Sequence, residues 1–160
     1  MITQSELKDM FDYKDGQLLS KQKSKRRNAG DVLGTINSNG YLTASVNGKV
    51  YRVHRLIYLW HNGYMPSQID HINRVRDDNR IENLRPCTTQ ENSYNKKVTS
   101  ESGVKGVHWH KQISRWVASI RANGRNIHLG TFVDKELAIS IASTARNKLH
   151  KDFAYSGEQP

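Results

Sequence analysis

Apolar residues in the first part of the chain recur at spacings that switch between those of helices and those of strands. The segment Thr3 to Glu6 has the pattern of a helix-capping box, and Leu7, Met10 and Phe11 follow it on one helical face. Further on, Asn47-Gly48 between two alternating stretches is a strong hairpin signal. The predicted elements are a helix from residue 3 to between 13 and 16, a strand at 17–20, a three-stranded meander at 32–36, 41–46 and 49–53, and a helix at 54–61 that Gly63 ends.

A different pattern begins after a polar connector at residues 99–103. Alternating stretches predict three strands, Asn123-Gly124 marks a hairpin turn between the last two, and Asp134 is placed to cap a helix. The predicted strands lie at 106–110, 115–122 and 126–132. The apolar residues at helical spacing after them are Leu137, Ile141, Ala145 and Leu149. This part is therefore predicted to be a small sheet backed by one amphipathic helix.

Charge narrows the class of partner. The 160 residues contain 25 Lys and Arg against 15 Asp and Glu, a formal charge of +10, which favours a polyanionic partner. Residues 1–103 hold 16 basic and 11 acidic side chains and residues 104–160 hold 9 and 4, so both parts carry the excess. The densest basic run comprises Lys21, Lys23, Lys25, Arg26 and Arg27. It is either a solvated loop or a loop that follows DNA phosphates, with a nuclear localisation signal as a third interpretation.

Other features of the composition exclude several classes of protein. Hydrophobic residues make up 36% of the chain, which predicts a thin core. Cys87 is the one cysteine, so neither an internal disulfide nor a cysteine-built zinc site can form. No apolar stretch approaches the ~18 residues of a membrane span, and the N-terminus lacks the apolar segment of a signal peptide. We therefore expect a cytoplasmic protein with no membrane partner, in a bacterial host cell if the chain is phage-encoded.

Residues 69–92 concentrate the residue types that phosphodiester hydrolysis needs. A histidine pKa of about 6.5 lets His71 deprotonate a water molecule near neutral pH, which makes it the candidate general base. Asp70 and Asn92 offer the carboxylate and amide oxygens that a hard divalent cation prefers. An amide or carbonyl must hold the imidazole so that one nitrogen is available for the proton, and Asn83 is the candidate. The competing interpretation is a loop in which Asn and Asp only build turns.

These residues resemble the HNH family of nucleases, in the variant whose last metal ligand is asparagine. Asp70-His71, the run from Asn79 to Arg85, and Asn92 fall on the motif, and His54-Arg55-Leu56 precedes it as in that family. The resemblance implies a ββα-metal site. In such a site His71 ends a strand, Asn83 lies in the loop before a helix, and Asn92 lies on that helix.

Two histidines in the predicted helix at 54–61 have two interpretations. His54 and His61 are either metal ligands or hydrogen-bonded structural residues, and the structural interpretation is the commoner outcome for such isolated histidines.

Residues 104 to about 155 resemble the plant Apetala-two/ethylene-response-factor DNA-binding domain as it occurs in mobile nucleases. The resemblance rests on Gly106-Val107, Trp116 to Ala118, Ile120-Arg121 and Leu129 to Phe132, followed by an Ala-rich helix. It implies that the exposed face of the sheet lies in the DNA major groove and that Trp116 and Phe132 are core residues under the helix. Trp109 either packs or stacks. The residues carried over to the DNA-reading face are His108, His110, Ser119, Arg121, Asn126 and His128.

Together these features predict an α+β fold. An N-terminal antiparallel sheet and a ββα-metal HNH nuclease module precede a small three-stranded antiparallel sheet packed on one helix. The predicted domains are a nuclease domain at 1–98, made of a helix and DNA-gripping sheet at 1–53 and a ββα-metal core at 54–98, then a linker at 99–103 and an Apetala-two-like domain at 104–160.

The expected function is that of a homing-type endonuclease. It would nick one strand of double-stranded DNA per monomer, using Mg²⁺, with Mn²⁺ as the alternative, and no small-molecule cofactor. The competing function is a non-catalytic, sequence-specific DNA-binding regulator built on an HNH scaffold. The predicted DNA contacts are Lys21, Lys23, Lys25, Arg26, Arg27, Arg74, Arg76, Arg80, His108, His110, Arg115, Ser119, Arg121, Arg125, Asn126 and His128.

Overall fold

The computed structural model describes residues 2–25, 27–95 and 102–153. These residues form a mixed α/β structure with four small antiparallel sheets and four α-helices. Contacts divide the chain into two compact units, unit 1 over residues 1–88 and unit 2 over residues 89–160. Arg26 of the basic run and residues 99–101 of the predicted linker lie outside the described residues. In the described part of the chain, every helix is too short or too polar to cross a lipid bilayer.

Unit 1 begins with helix α1, Gln4–Met10, whose capping box is present as predicted. The Glu6 amide donates to Thr3 Oγ1 at 3.3 Å, and the Thr3 amide donates to the Glu6 carboxylate at 2.7 Å. The prediction that this helix continues to residues 13–16 is wrong. Phe11 is already extended, and Phe11–Lys14 forms strand β1, which pairs with β2, Gln17–Ser20. The reason lies in tertiary structure, because Phe11 is 1% exposed and fills the unit 1 core from a strand.

The predicted meander is present as β3, Thr35–Ile36, β4, Leu42–Val46, and β5, Lys49–Arg52, in that order in one sheet. Its first strand is shorter than predicted. Gly34 adopts a left-handed φ of +109° that interrupts the extended chain, and its position against the Val53 side chain leaves no space for a Cβ.

Helix α2, Val53–Asn62, packs at the centre of unit 1 and ends at Gly63, whose φ is +78°. After it, strand β6, Gln68–His71, pairs with β7, Leu84–Cys87, in an antiparallel hairpin. The core residues that lie under this hairpin and the other sheets of unit 1 include Leu7, Phe11, Leu18, Leu33, Leu56, Ile57, Ile69 and Leu84. The core therefore fixes the position at which β6 ends.

Unit 2 begins with the short helix α3, Thr89–Tyr94. Three antiparallel strands follow in the spatial order β10-β9-β8, with β8 at Val107–His110, β9 at Arg115–Ala122 and β10 at Arg125–Phe132. Helix α4, Lys135–His150, is capped by Asp134, whose carboxylate accepts from the Leu137 amide at 2.7 Å. Trp109 packs edge-on against Trp116 with ring centroids 5.2 Å apart, and Trp116 and Phe132 lie partly buried against the unit 2 core.

The predicted apolar stripe of α4 is not its buried face. The buried residues of the helix are Ala138, Ala142, Arg146 and His150, whereas Leu137, Ile141 and Leu149 are 51%, 37% and 45% exposed. The small alanines let the helix approach a sheet whose facing side already carries the bulky Trp116 and Phe132. The helical spacing of the larger apolar side chains therefore predicted the wrong buried face for α4.

Candidate functional site

The candidate site lies on the β6–β7 hairpin of unit 1. Asp70 and His71 are the last two residues of β6, and both are buried, at 6% and 5% exposure. Strand pairing places Asp70 opposite Arg85 and His71 opposite Leu84. The polar pair therefore ends a strand that the core holds in place.

The carboxylate of Asp70 forms an ion pair with Arg85. Arg85 Nε and Nη2 both donate to Asp70 Oδ2, at 2.9 and 2.7 Å, and both side chains are largely shielded from solvent. Directly opposed cross-strand residues are close enough for this contact. Sequence reasoning did not assign a role to Arg85, and the register of the hairpin is the signal that would have identified it.

The imidazole of His71 is held by Asn79. His71 Nε2 lies 3.0 Å from Asn79 Oδ1, and Asn79 is only 2% exposed. Burial lowers the pKa of His71, and the hydrogen bond to Asn79 and the nearby Asp70, Asp78 and Asp77 carboxylates partly oppose that change. The ring is thus uncharged at neutral pH, the state in which it can accept a proton.

The assignment of Asn83 as the residue that holds this ring is corrected by the structure. Asn83 Nδ2 donates to the Asp78 carbonyl at 2.7 Å and to Asn73 Oδ1 at 2.9 Å, and its own Oδ1 accepts from the Asn73 amide at 3.0 Å. Asn83 therefore fixes the loop over residues 72–83, and that loop in turn presents Asn79 to His71. Both asparagines belong to the same motif, and only the folded loop distinguishes their roles.

The same loop is braced by Asp78. Its carboxylate accepts from Arg80 Nε and Nη2 at 2.9 and 2.7 Å and from Asn73 Nδ2 at 2.6 Å. Hydrogen bonds from Arg80 are the main cause that lowers the pKa of Asp78 to about 2. Arg80, predicted to contact DNA, is thus engaged by a neighbouring carboxylate while its side chain remains 54% exposed.

A second histidine lies against the first. His54, in the first turn of α2 and 3% exposed, meets the His71 ring edge-on with centroids 4.9 Å apart. Burial, assisted by neighbouring His71 and arginines, lowers the pKa of His54 to about 3. Its Nδ1 is buried with no hydrogen-bond partner in the described residues. His61 instead packs edge-on against Tyr13 at 4.4 Å.

Tyr41 connects this pair of histidines to basic side chains. Its ring lies 5.6 Å from that of His54 and 6.0 Å from that of His71. The guanidinium groups of Arg52 and Arg76 lie over the same ring, at 4.6 and 5.2 Å. Arg76 was predicted as a DNA contact, whereas Arg52 was not; strand pairing alone could not have placed either beside the histidines.

The other predicted basic contacts of unit 1 occupy varied environments. Lys21 forms an exposed ion pair with Asp12 at 3.4 Å, and Arg27 lies over the Phe11 ring at 5.5 Å. Lys23 and Lys25 are exposed, and Arg74 is half-buried with a left-handed φ of +66°.

The predicted DNA-reading residues of unit 2 share one face of its sheet. Asn126 pairs with Arg121, His128 with Ser119, His108 with Val117 and His110 with Arg115. Paired residues point to the same side of an antiparallel sheet, and the alternate residues Ala118, Ile120 and Ala122 are buried on the other side. The sheet thus presents the six predicted reading residues and Arg115 together. Arg125 is exposed at the start of β10, but it pairs with Ala122 and so lies in register with the opposite side of the sheet.

The predicted metal ligands are oxygen donors. Asp70 is the penultimate residue of β6 in unit 1, and Asn92 is half-buried on α3 in unit 2. Among the residues that the structure describes, no three His, Cys, Asp or Glu side chains group together in a way that could hold a metal ion. A carboxylate, an amide oxygen and water form a donor set that suits a hard divalent cation, so the chemistry of the residues fits the group.

Comparisons with known proteins bear on this site. Residues 51–94 match the family model described as HNH endonuclease. The chain is 33% identical over 106 residues to Protein 3.8 of Escherichia phage T7, which covers 62% of this chain and 87% of that protein. It is 34% identical over 124 residues to an uncharacterized HNH endonuclease of Acanthamoeba polyphaga mimivirus, covering 74% of this chain and 63% of that protein. No solved structure gives a significant match.

Proposed function

Because this chain carries a domain of the HNH endonuclease family over residues 51–94, we propose that it is a metal-dependent DNA endonuclease of the homing type. The observation that carries the proposal is the buried hydrogen bond between His71 and Asn79, beside the ion pair of Asp70 and Arg85. A buried polar cluster of this kind is costly for stability, and buried, hydrogen-bonded titratable groups are often found at functional sites.

His71 is the general base. Asn79 Oδ1 can only accept a hydrogen bond, so it holds the proton on Nε2 and leaves Nδ1 as the nitrogen that receives a proton from water. The lowered pKa of His71 keeps the ring uncharged at neutral pH. His54 packs against the ring and limits its rotation.

Asp70 and Asn92 are the residues that would hold a divalent cation, Mg²⁺ or Mn²⁺. When bound, such a cation stabilises the negative charge that develops on the phosphate and the departing oxygen. Arg85 orients the carboxylate of Asp70 through two hydrogen bonds. Asn83 supports the site indirectly, by fixing the loop that carries Asn79.

DNA binding is assigned to both units. The basic run at residues 21–27, together with Arg74, Arg76 and Arg80, would contact the backbone next to the cleavage site. The exposed face of the unit 2 sheet, an Apetala-two-like module in this proposal, would contact base edges in the major groove. The excess of basic residues in both parts of the sequence supports this division.

A plasmid nicking assay with and without Mg²⁺ tests the proposal. The wild-type protein should relax supercoiled plasmid only with the metal, and His71→Ala should abolish cleavage while DNA affinity stays nearly unchanged, because a general base acts mainly on the transition state. His61→Ala, which removes a histidine of the same unit that packs on Tyr13, is the matched control. Cleavage by His71→Ala at the wild-type rate would contradict the assignment. Tight, selective DNA binding without metal-dependent cleavage would instead indicate the non-catalytic regulator.

A further inference from the structure

Unit 2 contains a cavity that the proposed chemistry does not use. Its volume is about 550 Å³, and it lies beside the second half of β9, α3 and the C-terminal end of α4. The residues that matter here are Tyr94, Lys105, Arg121, Asn126, Arg146 and His150. The described residues that line the cavity include three cations and neither Asp nor Glu. Its lining is therefore strongly positive.

Arg146 is the unusual member of this lining. It is 6% exposed, yet its one hydrogen-bond partner in the described residues is the carbonyl oxygen of Lys105. None of the ion pairs found in the described part of the chain involves it. Burial lowers the pKa of the guanidinium, in the direction expected when a charge loses water and gains no counter-ion. A buried cation is normally paired, so this guanidinium lacks the anion that such a site requires.

Two stacked rings and a lysine surround Arg146 in this cavity. The Tyr94 and His150 rings stack with centroids 3.5 Å apart and an interplanar angle of 8°. His150 Nε2 donates to the Arg121 carbonyl at 2.9 Å, while its Nδ1 is buried with no partner in the described residues. The Lys105 ammonium, which also lines the cavity, donates to the Tyr94 carbonyl at 2.8 Å.

We propose that this cavity is a phosphate-binding site with Arg146 as its central ligand. A guanidinium offers parallel N–H donors that match two phosphate oxygens, and Arg121 at the rim can add a second cation. The volume lies within the range of about 300–1,000 Å³ that is typical of small-ligand pockets, so a whole nucleotide unit fits. Its phosphate belongs either to a DNA strand or to a free nucleotide.

The position of the cavity favours the DNA strand. Ser119, Arg121 and Asn126 line the cavity and also belong to the sheet face proposed to contact DNA. Arg146 lies on the helix side of the sheet, so a strand would have to leave this face past the turn at Gly124, which also lines the cavity, to bring a backbone phosphate to Arg146. This choice of source rests on the proposed DNA binding of unit 2, whereas the phosphate site itself does not.

The first experiment measures phosphate binding to the full chain. Inorganic phosphate at about ten times its Kd is expected to raise the melting temperature by about 3–6 °C relative to chloride at equal ionic strength. Arg146→Gln should remove that shift, Arg146→Lys should keep part of it, and Lys148→Gln, an exposed charge on the same helix, should keep it fully. Absence of saturable phosphate binding to the wild-type chain by calorimetry overturns the proposal whatever the variants do, as does an unchanged shift in a folded Arg146→Gln.

The second experiment distinguishes the two sources of phosphate. If DNA supplies it, Arg146→Gln should weaken duplex binding about tenfold and reduce the slope of log Kd against log salt by about one, and Lys148→Gln should do neither. If a free nucleotide supplies it, dAMP should bind at least about tenfold more tightly than inorganic phosphate, with duplex affinity unchanged in Arg146→Gln. Phosphate binding by a chain that neither binds nor cuts DNA would refute the proposed function and leave this site standing.

Discussion

Asn79 Oδ1 lies 3.0 Å from His71 Nε2, and the two side chains are 2% and 5% exposed. This contact decides which imidazole nitrogen carries the proton, because an amide oxygen accepts and cannot donate. It also means that the base depends on a loop, since Asn79 is presented by hydrogen bonds that Asn83 makes to Asp78 and Asn73.

Removing the amide should therefore impair catalysis without impairing DNA binding. We expect Asn79→Ala to slow single-turnover cleavage by about ten- to a hundredfold, less than the factor of about 10²–10⁴ that a general base contributes. Asn79→Asp should instead raise the pKa of His71 and move the acid limb of the pH–rate profile to higher pH. A wild-type rate and pH profile in both variants would show that the contact has no role in proton transfer.

The buried pair of Asp70 and Arg85 should contribute to stability. Arg85→Ala leaves the Asp70 carboxylate without two hydrogen bonds, and the expected loss in the free energy of unfolding is about 3 kcal/mol. Lys21→Ala breaks an exposed ion pair with Asp12 and should cost under about 1 kcal/mol. Urea denaturation of both variants provides the measurement, and equal losses would show that the pair is not effectively buried.

Acid should destabilise unit 1 through His54. The pKa of this histidine falls from its ordinary 6.5 to about 3 in the folded chain. The unfolded chain therefore binds the proton first, so the stabilisation is complete above pH 6.5 and is lost as the pH falls toward 3. Between pH 7 and 5 the loss from this group should be about 2 kcal/mol.

Unfolding free energies measured with a chelator at pH 7 and pH 5 test this. His54→Gln should lose less stability over this interval than the wild-type chain. The same pH dependence in both proteins would assign it to other groups.

Arg121→Ala tests the sheet face of unit 2. Loss of a base contact should cost about 1–3 kcal/mol of binding free energy on the preferred sequence and relax selectivity. Because Arg121 also lines the cavity around Arg146, the alternative outcome is informative. Equal weakening on all sequences would assign Arg121 to phosphate contact, and unchanged binding would remove it from the interface.

One chain should nick DNA and not break both strands. The sequence contains one Asp-His pair with one matching set of asparagines, and no internal repeat that could supply a second site. We therefore expect a monomer in solution and relaxed circular plasmid as the first product. Titration of the protein against supercoiled plasmid measures this; linear DNA at the earliest times, without a nicked precursor, would point to a dimer.

The sequence by itself determined most of the local structure. The capping box at Thr3, the cap at Asp134 and the hairpin turns at Asn47 and Asn123 act through neighbouring residues, so they are visible in the chain without knowledge of its fold. The same holds for the residues of the HNH motif, whose spacing is a property of the chain. The exposed residues of the unit 2 sheet were named from the family resemblance, and the strand pairing places them on one side.

Tertiary structure decided between alternatives that were locally equivalent. Phe11 is compatible with a helix or a strand, and packing in the unit 1 core places it in a strand. Helix α4 has two candidate buried faces, and the bulk of Trp116 and Phe132 favours the face that carries the alanines. Asn79 and Asn83 have the same chemistry, and only the folded loop brings the first of them to His71. Packing also buries Arg146 with a backbone carbonyl, and no carboxylate among the described residues, as its partner. Each of these outcomes depends on contacts between residues distant in sequence, which periodicity and spacing do not encode.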